Sequence, residues 1–135
     1  KINSENKENI KKLFYKLLKI NYMIFGIIII GILLFADYLI PLIYGSEYAT
    51  SVTSLKILSI YLLCFTTSII FNGLLDYQGK ANKRAINIII MILLNIGLNF
   101  LLIPKYGAVG ASIATSVAYL PYILLNWLEI RKTFK

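Results

Sequence analysis

Three stretches of the chain, at positions 57–75, 85–104 and 106–128, run for 19, 20 and 23 residues without one charged side chain. About 20 apolar residues of helix cross the hydrocarbon core of a bilayer, so each run is long enough to span it. A helix buried in a water-soluble protein can be as apolar, but three such runs in succession leave almost no polar surface for water. Composition agrees: 59% of the 135 residues are apolar and 15% charged, where a soluble domain carries about 25% charged residues. A disordered linker needs the opposite balance. A further run lies within positions 20–40. Its central part, Ile24–Ala36, holds ten Ile, Leu and Phe residues, each favouring insertion by about 0.3–0.6 kcal/mol, on the order of 3–6 kcal/mol together. Asp37 would cost about 3 kcal/mol at the bilayer centre. It stands instead at the far end of the run, near Pro41 and the turn-like Tyr44-Gly45-Ser46, where it can meet water. The expected fold is therefore all-α: a polytopic membrane helical bundle with four transmembrane helices, at about 20–40, 57–75, 85–104 and 106–128.

Positions 1–19 read differently. Ile10, Leu13, Phe14, Leu17 and Leu18 fall at helical spacing, and Lys7, Lys11, Lys12, Lys16 and Lys19 take the other positions. This pattern predicts a basic amphipathic helix whose stripe lies in the headgroup boundary while its lysines meet anionic lipid. The segment is too charged for a signal peptide. The chain opens at Lys1 rather than Met, so it is expected to be a piece of a longer protein.

The formal charge of +8 is placed as topology demands, not as nucleic-acid binding would, which clusters basic residues on one solvated face. Lys1, Lys7, Lys11, Lys12, Lys16 and Lys19 precede the first run, Lys80, Lys83 and Arg84 follow the second, and Arg131, Lys132 and Lys135 follow the last. Basic residues in short loops stay cytoplasmic. Twelve of the fourteen thus lie on one side, leaving Lys56 and Lys105 on the other, so both ends are expected in the cytoplasm with a basic tail at 129–135.

The chain has no His, and its acidic residues are widely spread. No acid, base or metal-ligand constellation suggests an enzyme, and neither a cofactor nor a metal is expected. The single Cys64 excludes an internal disulfide. Residues that can carry function are the amides. Asn87, Asn95 and Asn99 sit at i, i+8 and i+12 of the third run, within about 120° of one helical face. They serve either a helix contact or a polar cavity, and Asn72 and Tyr61 in the second run share the ambiguity. Lys56 either snorkels to the interface or offers a cation to an anionic substrate group. Lys80, Lys83 and Arg84 either enforce topology or also meet phosphate head groups. In the fourth run Gly110, Ala114 and Ala118 repeat every four residues, with Gly107 and Ala111 in a parallel row. Small residues let two backbones approach closely, and the short link Pro104-Lys105-Tyr106-Gly107 predicts a tight antiparallel hairpin. Pro121 removes a donor, and a kink is expected there, as simple shape or as a hinge.

The stretch Asn95-Ile-Gly-Leu-Asn-Phe-Leu-Leu-Ile-Pro-Lys-Tyr-Gly-Ala-Val-Gly-Ala-Ser-Ile-Ala-Thr-Ser-Val-Ala-Tyr119 resembles the helix-hairpin signature of polysaccharide and oligosaccharide-lipid flippases, in the multidrug/oligosaccharidyl-lipid/polysaccharide exporter superfamily. An Asn-x-x-x-Asn pattern leads into Leu-Ile-Pro, a basic residue, a Gly, and then Gly-Ala-x-x-Ala-Thr. Upstream, Tyr44-Gly45-x-x-Tyr48 and the Gly79-Lys80 loop look like that family's preceding helices, so the resemblance covers nearly the whole chain. It implies two pseudo-symmetric lobes around a cavity, with this chain as the carboxyl-terminal part of the second lobe and the remaining helices of the parent transporter as its partners. It also implies alternating access, carrying a polyprenyl-diphosphate-linked oligosaccharide from the cytoplasmic face outward across the lipid bilayer, with Lys56 as a candidate for its phosphates. Two other readings stay open: a cation-coupled multidrug exporter of the same superfamily, and a small helical scaffold without transport activity.

Overall fold

The computed structural model describes residues 4–134, with side chains from position 6 onward; Lys1 and Lys135, two of the basic residues counted above, lie outside them. Three long helices follow one another: α1 (Ser4–Tyr44), α2 (Ser51–Tyr77) and α3 (Ala81–Phe134), with a single 3-10 turn at Ser46–Tyr48 between the first two. All three are long and apolar enough to cross a membrane. The protein is an all-helical, multi-pass membrane protein.

α3 has 54 residues and, if straight, would measure about 80 Å, far more than one bilayer core of about 30 Å. It is not straight. Gly107 has φ 55° and ψ −131°, the one non-helical pair of dihedrals inside α3. An L side chain disfavours this mirror-image region, whereas glycine enters it freely. The chain reverses there, so the runs 85–104 and 106–128 occupy two arms that lie side by side. Contacts across the arms step symmetrically about the reversal. Gly110 meets the backbone of Leu102, Thr115 meets Asn95 and Asn126 meets Asn87. The dihedrals stay helical at both Pro104 and Pro121. Reversal thus rests on a glycine three residues beyond the first of these prolines.

The second arm buries one row of residues at every fourth position: Gly110, Ala114, Ala118, Tyr122, Asn126 and Ile130. Bilayer lipid is as apolar as leucine, so this association comes from close packing and interhelical hydrogen bonds rather than from hydrophobic burial. Gly110 shows how close the packing is. A Cβ there would stand 2.4 Å from the carbonyl oxygen of Leu102.

α2 is the middle helix, packed against both α1 and α3. It buries Ser59, Thr66, Thr67 and Ser68, whose hydroxyls donate to carbonyls three or four residues back in the same helix. Such self-bonded hydroxyls can pass through an apolar environment without an unmet donor. α1 runs through position 19 into the first apolar run without a break. Phe14 and Leu18 of its amphipathic stripe are buried against Phe71, Leu74, Leu75 and Ile130, while Leu13 and Leu17 stay exposed. Phe14, Phe71 and Trp127 stack with ring centroids 5.7–6.3 Å apart, a spacing at which aromatic pairs add about 0.5–1.5 kcal/mol each. Elsewhere the outer surface is apolar. Leu42 is 81% exposed and Phe100 78%, as lipid-facing or partner-facing side chains should be.

Gly110→Ala is expected to lower the unfolding midpoint of the detergent-solubilised full-length protein, at a cost of about 1–3 kcal/mol for overpacking. Gly97→Ala, whose new Cβ meets nothing within 4 Å, should leave it unchanged or raise it. Equal midpoints for the two variants would contradict the close approach at Gly110.

Candidate functional site

The asparagines of α3 divide into two sets. Asn95 and Asn99, one turn apart, bond to each other: Asn99 Nδ2 donates to Asn95 Oδ1 at 2.9 Å. Asn95 Nδ2 in turn donates across the hairpin to Thr115 Oγ1 at 3.4 Å. Asn99 Oδ1 is buried and has no partner among the described residues. This ladder borders two hollows. One, of about 160 Å³, is lined by Met91, Ile92, Asn95, Thr115, Ala118 and Tyr119. The other, of about 380 Å³, is lined by Ile96, Asn99, Phe100, Ile103 and Pro104. The ladder is thus an amide-rich strip flanked by apolar walls, with one acceptor still to be satisfied.

Asn87 belongs to neither hollow. It is buried two turns away, and its Nδ2 donates to Asn126 Oδ1 at 2.7 Å. Asn126 is 0% exposed, and its own Nδ2 has no partner among the described residues. Asn72 sits apart from both sets and accepts a 2.7 Å hydrogen bond from the Tyr122 hydroxyl, tying α2 to the second arm of α3. Lys56 is at the opposite end of the molecule from the main basic cluster, in a 2.5 Å ion pair with Asp37 that joins α2 to α1. Gly110, Ala114 and Ala118 are buried in the seam and Ala111 is half-buried, while Gly107 is exposed at the reversal.

Three partners in these contacts, Thr115, Tyr122 and Asn126, carry no site signal of their own in the sequence. For two of them the signal lies in a row of other residues. The four-residue spacing of Gly110, Ala114 and Ala118, carried two steps further, lands on Tyr122 and Asn126. A small-residue search ends where the residues become large, although the face continues. Asn21 of α1, which reaches Thr67 of α2 at 3.4 Å, lies outside any such row. Between α2 and α3, Tyr61 and Tyr119 pack edge to face with centroids 4.8 Å apart.

At the basic end the helix termini are tied together. Lys80 Nζ donates to the Glu129 carbonyl and to Thr133 Oγ1, both at 2.7 Å, and Thr133 donates to Gln78 Oε1 at 2.9 Å. The Lys132 ammonium, 2.6 Å from Glu129 Oε1, holds that carboxyl below the usual glutamate range, and Lys80 adds to the effect. Arg84 pairs with Asp76 at 2.8 Å.

Over residues 1–135 the chain matches the family model described as lipid II flippase MurJ. It belongs to that family. Among curated relatives, a probable low-salt glycan biosynthesis flippase, Agl15 of Haloferax volcanii, is 30% identical over 66% of this chain and 19% of its own length. The capsular polysaccharide biosynthesis protein CapF of Staphylococcus aureus is 27% identical over 96% of this chain and 33% of its own. The chain therefore spans about one fifth and one third of these two relatives. No solved structure matches it. The flippase resemblance carried by the Asn95–Tyr119 stretch is borne out by the family and by both relatives.

Asn87→Leu strands the buried Asn126 amide. It is expected to destabilise the full-length protein by about 1 kcal/mol, and Asn87→Leu with Asn126→Leu together should recover most of that loss. Unfolding in mixed micelles measures both variants. A double variant as unstable as the sum of the two single ones would show that the amides are not coupled.

Proposed function

We propose that this chain is a four-span portion of a membrane transporter that flips lipid-linked oligosaccharide or polysaccharide precursors, and that it forms the carboxyl-terminal part of a second lobe. The observation that carries this reading is the match of the whole chain to a flippase family model. The names of the two curated relatives, in glycan and capsular polysaccharide biosynthesis, favour it over a drug exporter or a transport-free scaffold. Two spans are α1 and α2, and two are the arms of α3, each of which carries an uncharged run long enough to cross. The segment 1–19 lies on the cytoplasmic side of the cell membrane, 20–128 forms the membrane domain, and 129–135 is a cytoplasmic tail. Support for this sidedness comes from Lys80, Lys83, Arg84, Arg131 and Lys132, which gather at one end of the molecule as the charge bias of short loops requires.

The substrate in this reading is a polyprenyl-diphosphate-linked oligosaccharide, and the lobe rocks against the remaining helices of the parent transporter to expose a cavity to each leaflet in turn. Asn95 and Asn99 face that cavity. Their amides meet polar substrate or water while the seam of Gly110, Ala114 and Ala118 keeps the hairpin rigid enough to move as one body. Lys56, held by Asp37, supplies a cation at the outer end, where a diphosphate leaves. Asn72 and Asn87, each already bonded to a neighbour, hold the walls.

The test is complementation of a flippase-null strain with the full-length gene, scored by exported sugar polymer. Asn95→Leu and Asn99→Leu are expected to cut export by about tenfold or more at unchanged levels of membrane-inserted protein. A matching fall in inserted protein would make their role packing alone.

A further inference from the structure

At the basic end, between the start of the first arm of α3 and the end of the second, lies a cleft of about 400 Å³ lined by Lys83, Asn87, Leu125, Leu128, Glu129, Arg131 and Lys132. Its charges are not balanced. Glu129 is already engaged by Lys132 at 2.6 Å and by Lys80 at 3.8 Å. Lys83 and Arg131 have no carboxylate partner among the described residues, although Arg84 beside Lys83 has one in Asp76. Three cations thus line a hollow whose lining holds one carboxylate, Glu129, and that carboxylate is paired with Lys132 and Lys80 rather than with Lys83 or Arg131. Deeper in, the lining becomes apolar at Leu125 and Leu128. Asn87, 8% exposed, spends one hydrogen-bond donor on Asn126 and has a second N–H to offer.

We infer that this cleft is a docking site for an anionic glycerophospholipid of the cytoplasmic leaflet, with its phosphate between Lys83 and Arg131 and its acyl chain along Leu125 and Leu128. Charge and polarity together carry this. A free anion would need the cations and have no use for the leucines, whereas a lipid needs both, in this order along the bilayer normal. Basic residues at the membrane surface attract anionic lipid, and the planar guanidinium of Arg131 suits phosphate oxygens bidentately. The cleft joins the two arms at their open end, opposite the Gly107 reversal. A bound lipid there braces the hairpin where no covalent link does. The site rests on the cytoplasmic placement proposed above but not on transport itself.

Native mass spectrometry of the full-length protein, titrated with palmitoyl-oleoyl phosphatidylglycerol and separately with the matching phosphatidylcholine, tests it. Wild type should retain phosphatidylglycerol in preference. Lys83→Gln with Arg131→Gln, both exposed positions, should weaken that binding by about thirtyfold, the effect of removing two surface cations. Lys11→Gln with Lys16→Gln removes the same charge elsewhere at this end and should leave it unchanged. Equal retention of the two lipids, or equal weakening by the two double variants, would overturn the site. So would displacement of phosphatidylglycerol by stoichiometric farnesyl diphosphate, which would assign the cleft to the isoprenoid carrier. Lipid retention is read without export, so loss of this site and loss of the flippase reading are separable results.

Discussion

Hydrocarbon offers no hydrogen bonds, so every polar group that enters it must find its partner inside the protein. This constraint shapes the chain at each level. It makes the backbone helical almost throughout, and it turns the hydroxyls of Ser59, Thr66, Thr67 and Ser68 in α2 back onto carbonyls of their own helix. It also gathers the amides of α3 into the seam between two arms, where Asn87 faces Asn126 and Asn95 faces Thr115. Interhelical bonds of this kind average only about 0.6 kcal/mol. Their role is therefore register more than strength, and the strength comes from the contact of small residues that lets the arms approach. Gly107 makes the reversal possible and Gly110 makes it close.

Among the described residues three buried side-chain atoms escape the rule, Ser54 Oγ, Asn99 Oδ1 and Asn126 Nδ2. The two amides belong to opposite arms of the same hairpin. Asn99 borders an apolar-walled hollow toward the reversal, while Asn126 backs Asn87, which lines the basic cleft. The charged ends work by the opposite logic. Lys56 with Asp37 at one end and Lys132 with Glu129 at the other each have one partner open to water, while Lys80 reaches the same carboxylate from a largely covered position. Water-exposed pairs contribute at most about 1 kcal/mol each. They fasten helix ends together more than they stabilise the bundle.

Much of this was legible in the sequence. Uncharged runs of membrane length marked α2 and the two arms of α3, the short Pro104–Gly107 link announced the hairpin, and the spacing of Gly110, Ala114 and Ala118 named the buried face; the amphipathic segment and the first run, expected as two helices, are one continuous α1. Periodicity reports which face of a helix is special but not what it meets. Hence Asn87, Asn95 and Asn99 read as one set, although only two of them bond to each other. Which residue stands across from Asn87 depends on how many residues the reversal consumes and on how closely Gly110 approaches Leu102. Neither quantity is local. The same holds for Lys56 with Asp37 and Asn72 with Tyr122, whose partners lie 19 and 50 residues away.

The register of the two arms is the claim on which the seam, the amide pairs and the cleft all depend. Paired cysteines in native membranes test it directly, in the full-length protein stripped of its other thiols. Asn87→Cys with Asn126→Cys, whose native side chains meet end to end, should be joined by a short bifunctional thiol cross-linker and so escape a maleimide mass tag added after unfolding. Asn87→Cys with Leu124→Cys, the latter on the exposed face, should keep both thiols. Free thiols in the first pair, or equal protection in the two, would contradict the hairpin described here.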